Sequence, residues 1–252
     1  MQFINFLRDC VYLISVIFME ILKYTVKNTK DIGNDIRVFT LIPNEKKLEF
    51  NAGQFTMIHL LDKQLNPTDK RPYSIGSSPT RNELVFFIKL VGGRFTSKLE
   101  KINPGDILGI EGAFGEFYFH NEDKSAFIAG GTGIAPFISI IDYINDKKKT
   151  GDYILFYSSK TKNSIVERLR LERISEKNPN IRIVFTLTRE EIRNGKYETG
   201  RVNVEMLGRH IKDPTGYCWY LCGPMKMTME LRNSLINEKQ VPKEKIRFEG
   251  WG

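Results

Sequence analysis

The chain has 252 residues, 41% hydrophobic and 27% charged, with 20 glycines and 10 prolines; this excludes a fibre or a disordered tail and suits one or two globular domains. Three cysteines (Cys10, Cys218, Cys222) and three histidines (His59, His120, His210) are too scattered for a disulfide framework or a metal site, and they suit a reducing, cytoplasmic setting. The formal charge of +8 favours anionic ligands or acidic partners, but no basic patch interleaved with aromatics accompanies it, so nucleic acid is not implied.

Residues 1–18 form an apolar N-terminal element, whose run Cys10–Met19 (CVYLISVIFM) is half the roughly 20 residues a membrane-spanning helix needs. It has no clear basic leader or cleavage site. A short element packed on the body, a peripheral membrane contact and an uncleaved leader all remain open for it. From Glu20 the texture becomes short strand-like runs: ILKYTVKNTK, IRVFTLI, LEFNAGQFTMIHLL, YSIGS, ELVFFIKL and DILGIEG. Pro43-Asn44, Asn66-Pro67, Gly92-Gly93 and Pro104-Gly105 punctuate them, which predicts an antiparallel β-barrel or sandwich over 19–120. After His120 the rhythm becomes strand then helix: AFIAG with APFISIIDYIND, YILFYSS with SIVERLRLERISEK, IRIVFTLT, and YCWYLCG with PMKMTMELRNSLINE. That alternation predicts an α/β domain with a parallel sheet over 121–252, with the boundary near Phe119–Lys124. No low-complexity linker separates the halves, so they are expected to pack directly.

Four segments carry candidate chemistry. In RPYSIGSS, Arg71 can bind phosphate bidentately, Tyr73 offers a stacking face and Ser74 a hydroxyl donor; strand alternation would point Arg71 and Tyr73 the same way. A surface ion pair with a half-buried core tyrosine is the plainer reading. In KLVGGRFTSKL, paired glycines admit close backbone approach, Thr96 and Ser97 add donors and Phe95 an apolar surface; a simple glycine hairpin before a capped helix is the alternative. AGGTGIAPFISI follows a strand and precedes a helical pattern, the order a dinucleotide pyrophosphate site requires, although GGTG is not GxGxxG. YLCGPMKM again ends a strand before a helix, which puts Cys222 and Gly223 at the same crevice as Gly131 and Thr132; an inert buried cysteine is the alternative. The tail IRFEGWG reads as a core edge or an aromatic lid.

Taken together, RPYS, GGTGIAP and CGP, in that order and separation, resemble the ferredoxin-NADP reductase superfamily of flavin-dependent oxidoreductases from Glu20 to the end of the chain. The resemblance implies a two-domain molecule, an antiparallel flavin-binding β-barrel followed by a nucleotide-binding α/β domain. For FAD it implies Arg71 and Pro72 beside the phosphate, Tyr73 on the isoalloxazine and Ser74 near its reactive nitrogen. Lys89 and Val91 would border the flavin, Gly93, Phe95 and Thr96 would hold the pyrophosphate, and Trp251 would cover the other face. Thr96 stands where FAD-binding members usually carry serine, which favours FAD over FMN. For NADPH or NADH it implies Gly131, Thr132, Gly133 and Pro136 as the dinucleotide loop, with Cys222, Gly223 and Pro224 beside the nicotinamide. Ser159, Lys160 and Arg189 lean toward the 2′-phosphate of NADPH. Ser74, Cys222 and Glu249 are the candidate catalytic residues, Glu249 as an orienting or proton-relaying group and Cys222 without a covalent role. Tryptophan followed by Gly252 departs from the family's Glu-x-Tyr ending. No metal is implied, and the absence of C-x₄-C-x₂-C predicts a separate electron acceptor: ferredoxin, flavodoxin, an oxygenase component or a small molecule. A non-catalytic electron-transfer or regulatory subunit is the second expectation.

Overall fold

The computed structural model describes residues 20–192 and 195–251, with the backbone alone for Trp251. The expected element 1–18 and the Trp251 ring therefore lie outside the described residues. No helix among the described residues is long and apolar enough to cross a membrane.

The first half contains β1 (Leu22–Asp31), β2 (Ile36–Pro43), β3 (Phe55–Leu61), β4 (Pro67–Ser74), β5 (Leu84–Lys89), a single helical turn α1 (Thr96–Leu99) and β6 (Ile107–Phe114). These strands form an antiparallel six-stranded sheet in the order β4-β3-β6-β1-β2-β5. Alternation drives it: Leu22, Tyr24 and Val26 of β1 turn inward while the residues between them stay partly exposed. Past β4 the Gly76 N–H donates to the Val85 carbonyl of β5 at 2.7 Å, so the two edges meet and the sheet is barrel-like. The enclosed core includes Phe39, Leu41, Ile58, Phe86, Leu99 and Ile110.

The sequence places Asn66-Pro67 in a turn and starts the strand at Tyr73; in the fold, β4 begins at Pro67 and runs through Pro72. An edge strand tolerates proline because the missing N–H faces no ladder partner. Conversely, Glu49–Gln54 belong to no strand, although Leu48 and Ala52 are buried and the Leu48 N–H donates to the Tyr24 hydroxyl at 2.7 Å.

The second half is β7 (Lys124–Gly130), α2 (Ala135–Asp146), β8 (Asp152–Ser159), α3 (Arg168–Lys177), β9 (Ile181–Leu187), β10 (Tyr197–Thr199), α4 (Val204–His210), β11 (Cys218–Pro224), α5 (Met225–Asn237) and β12 (Ile246–Trp251). Its six strands are parallel, in the order β10-β9-β8-β7-β11-β12. β7 and β8 are almost wholly buried, as expected of strands covered on both faces. The short β10 and α4 escape the sequence reading. A three-residue strand carries no periodicity, but Asn203, whose side chain accepts from the Met206 N–H at 2.8 Å, is a readable helix cap.

The halves pack directly. Phe117 and Phe119, in the segment joining β6 to β7, sit in one apolar cluster with Phe127, Phe137 and Tyr220. Edge-on ring contacts run from Phe117 to Phe137 at 5.9 Å and from Phe117 to Tyr220 at 5.7 Å.

Candidate functional site

On β4, Arg71 pairs in register with Ile58 and Tyr73 with Thr56. Alternation brings both side chains to one side, where they meet buried Phe95: the Arg71 guanidinium lies 5.7 Å from its ring centroid and the Tyr73 ring 6.1 Å away. Arg71 is half exposed (52%) and pairs with Asp69 at 3.0 Å; the other Asp69 oxygen takes Arg94 at 3.5 Å. Two guanidiniums thus share one carboxylate on an open face. Burial pushes the Tyr73 phenol up to about 12, so the ring remains protonated and neutral. Pro72 is exposed, and Ser74 is half-buried opposite Phe55.

Lys89 ends β5 and Val91 is 69% exposed. A side chain at Gly92 would meet nothing within 4 Å, and one at Gly93 only the Thr96 hydroxyl at 3.8 Å, so backbone here is open to a close neighbour. The Thr96 hydroxyl, expected as a free donor, donates to the Gly93 carbonyl at 3.2 Å. It shapes the turn instead.

Across the crevice, β7 runs through a 3₁₀ turn (Gly131–Ile134) into α2, with Pro136 in the first helical turn. This glycine turn presents Gly131 to open space: its φ is +57°, and a side-chain carbon there would have no atom within 4 Å. Gly133 and Pro136 are buried beneath. β7 has β8 on one side and β11 on the other, the place where strand order reverses. There Gly130 and Gly223 touch: a Cβ on Gly223 would lie 3.1 Å from the Gly130 Cα.

A cleft of about 350 Å³ opens above them, and both domains line it, the barrel with Asn34 and Lys89, the α/β domain with Gly131, Thr132, Lys160 and Pro224. A neighbouring cleft of about 460 Å³ shares Ser158, Thr188 and Met227 and continues to Arg201 and Lys226, two cations that the sequence reading missed. Ser159 also lines the first cleft, but its hydroxyl bonds Ser164 Oγ at 2.8 Å. The Arg189 N–H donates to the Lys160 carbonyl at 2.9 Å, which keeps both residues on one exposed corner. Glu190, also unforeseen, accepts from the Lys162 N–H at 2.7 Å beside that corner.

Cys222 and Glu249 are register partners on β11 and β12. Burial pushes the Cys222 thiol well up, with the Glu249 charge adding to it, so the sulfur is a neutral packing atom. Burial also raises the Glu249 carboxyl, whose Oε1 lies 3.7 Å from where a Gly115 side chain would begin. Gly115 packs against Phe55, the cross-strand neighbour of Ser74, so Glu249 bridges toward the barrel. The Trp251 backbone pairs with Pro224. His59 bonds Glu111 at 2.8 Å, His210 bonds Glu198 at 2.7 Å and His120 stacks on Tyr118, three histidines in separate structural roles.

Two family models match in the same order: an oxidoreductase FAD-binding domain over residues 23–119 and an oxidoreductase NAD-binding domain over 127–233. The chain belongs to the ferredoxin-NADP reductase superfamily. Among its relatives is the ferredoxin–NAD(P)(+) reductase component of the naphthalene 1,2-dioxygenase/salicylate 5-hydroxylase systems of Ralstonia sp, 27% identical over 86% of this chain and 65% of the relative. Another is a probable dihydroorotate dehydrogenase B (NAD(+)) electron transfer subunit of Pyrococcus furiosus, 32% identical over 57% of this chain and 51% of the relative. The chain therefore spans less than two thirds of these curated reductase-superfamily relatives. The fold is similar to the flavohem-like FAD/NAD binding domain of nitric oxide dioxygenase from Vibrio cholerae (TM-score 0.81, 18% identity, 92% of this chain and 98% of that one). It is likewise similar to a ferredoxin NADP+ reductase from Neisseria gonorrhoeae with bound FAD and NADP (TM-score 0.75, 21% identity, 91% and 98%).

Proposed function

We propose that this protein is an FAD-dependent NAD(P)H oxidoreductase that passes electrons to a separate acceptor such as a ferredoxin, a flavodoxin or an oxygenase component. The observation that carries the reading is the shared cleft, in which Lys89 of the barrel and the Gly131–Thr132 turn of the α/β domain face one space at the strand-order reversal. The donor set fits the two cofactors: open glycines for phosphate approach, exposed guanidiniums on the barrel, and a neutral half-buried ring at Tyr73. A bound flavin would supply the redox chemistry, hydride acceptance (two electrons with one proton) from reduced nicotinamide and release of the electrons to the acceptor.

The chain's residues hold and orient. Arg71, with Pro72 fixing its strand, and Gly93 with Phe95 hold the FAD phosphates, on a turn that the Thr96 hydroxyl closes. Tyr73 stacks on the ring, Ser74 donates a hydrogen bond to it, and Lys89 and Val91 border it. Gly131, Thr132, Gly133 and Pro136 shape the coenzyme turn, and Cys222, Gly223 and Pro224 keep the floor narrow enough for close approach. Glu249 orients the reacting edge or holds a proton there. Ser159, Lys160 and Arg189 favour NADPH by placing two cations on one corner.

An anaerobic titration tests this: purified protein should carry FAD, whose visible absorbance bleaches with NADPH and more weakly with NADH. Absence of flavin, or flavin that neither coenzyme reduces, overturns the reading. The likeness to an electron transfer subunit favours a second one, a non-catalytic member of a larger complex. Turnover of a soluble acceptor by the isolated chain eliminates it. Peripheral membrane contact through residues 1–18 belongs to the proposal too; removing them should abolish membrane recovery without changing flavin content.

A further inference from the structure

Just past the cofactor candidates Arg71–Ser74, residues 77–81 form a polar joint between the domains. Helix α2 carries Ser139, Asp142 and Asp146 at spacings of three and four, hence on one face. The Ser139 hydroxyl donates to the Ser77 carbonyl at 2.7 Å. Thr80 donates to Asp146 at 2.7 Å, and Ser78 Oγ lies 2.7 Å from Thr80 Oγ1. Arg81 spans two helix positions, 3.0 Å to Asp142 and 3.3 Å to Asp146. Asp142 is 1% exposed and also binds Arg170 of α3, so its carboxylate is held from both domains. An ion removed from water this completely requires a charged partner, and Asp142 takes one from each domain.

The position of the joint gives it a consequence. Residues 77–81 begin three positions after Ser74, the end of the flavin strand, and α2 follows the Gly131–Ile134 turn directly. We propose that Asp142 and Arg81 are positioning residues that fix the separation between the flavin strand and the coenzyme turn, and thereby the rate of hydride transfer, without contributing to the binding of either cofactor. This rests on the oxidoreductase reading. The joint acts through α2: when it opens, the turn shifts relative to the barrel as a unit, so each half of the site keeps its own shape while the reacting atoms separate. Misplacement by about 1 Å can cost about a hundredfold in rate.

The test uses the full chain with Arg81→Ala, Arg81→Lys and Asp142→Asn. Arg81 is partly exposed, so its truncation leaves Asp142 paired with Arg170 and should permit folding even where Asp142→Asn does not. Single-turnover flavin reduction at saturating coenzyme should fall about tenfold or more in Arg81→Ala and recover in Arg81→Lys, with flavin content and coenzyme Kd unchanged. Hydrogen exchange on coenzyme-free protein should accelerate together in peptides covering 76–81 and 131–134. An unchanged reduction rate, a rate loss that tracks flavin content or Kd, or exchange that changes only in 76–81 overturns the proposal. If wild-type flavin is reduced by neither coenzyme, the oxidoreductase reading falls and takes the rate claim with it. Exchange on the same proteins then decides the mechanical coupling by itself.

Discussion

The two halves of the site are built by opposite means. The barrel half consists of exposed side chains, Arg71 half exposed on the edge strand β4 and Arg94 more so in the loop before α1. The α/β half consists largely of missing side chains, where Gly130 and Gly223 touch at the strand-order reversal and Gly131 faces open space. Substitution in the barrel half should therefore cost ligand affinity and leave stability alone, whereas substitution at the glycine floor should cost both.

Gly223→Val is the largest break to expect. Even the first added carbon would meet Gly130 backbone at 3.1 Å and the Met227 methyl at 2.6 Å; the methyl can move but the backbone cannot. Overpacking of this kind costs about 1–3 kcal/mol, so the variant should melt earlier and bind coenzyme more weakly, as read by calorimetry and coenzyme titration. An unchanged Tm would remove the contrast between the halves. Arg71→Ala should sharpen it: an exposed ion pair contributes about 0–1 kcal/mol to stability, while a charge-assisted bond to a bound phosphate contributes about 1.5–3 kcal/mol. Flavin affinity should fall about ten- to hundredfold with the melting curve nearly in place. A loss of Tm without a loss of flavin would reverse the assignment.

Glu249 lies between the two halves and gives a smaller, pH-dependent effect. Burial raises its carboxyl, so the folded state holds the proton more tightly than the unfolded state does. The associated stability is present in acid, below the ordinary carboxylate pKa, and is lost as pH rises through the raised value. Above that window the ionised carboxylate opposes folding. Glu249→Gln should melt higher than the native chain near neutral pH, with the difference closing as the solution is acidified. A difference that does not vary with pH would mean that Glu249 is stabilised by a partner in the crevice.

The strands of both sheets were legible wherever burial imposes a pattern. β1 shows alternation, and β7 and β8 read as continuous apolar runs because helices cover both faces. The start of β4 is hidden because Asn66-Pro67 signals a turn locally, and only the strand's position at the edge makes a proline acceptable there. Of the site, RPYS and GGTG could be found as strings, and Arg71 and Tyr73 do share a face. The Thr96 hydroxyl bond to Gly93 and the pairing of Arg71 with Asp69 could not, because both depend on how a turn closes or which rotamer is taken. Lys89 and Asn34 meet the glycine turn only because the barrel docks on α2, a long-range outcome that no local pattern encodes.

The corner formed by Lys160 and Arg189 predicts the smallest effect and bears on which coenzyme is used. Both residues are exposed, and their backbones are tied by the Arg189 N–H to the Lys160 carbonyl, so the two charges can face the same group. Glu190 lies close by and accepts from the Lys162 N–H, which offsets part of the positive field. An exposed charge interacting with a ribose phosphate through water contributes at most about 1 kcal/mol, so Lys160→Ala should raise KM for NADPH only about three- to fivefold and leave NADH unchanged. Arg189→Ala should do the same, and the double variant more. Repeating the measurement at high salt should shrink the NADPH effect, because screening acts on exposed charges first. If both coenzymes weaken equally, the corner holds the shared part of the molecule, and the preference for NADPH must be sought at Arg201 and Lys226 in the adjoining cleft.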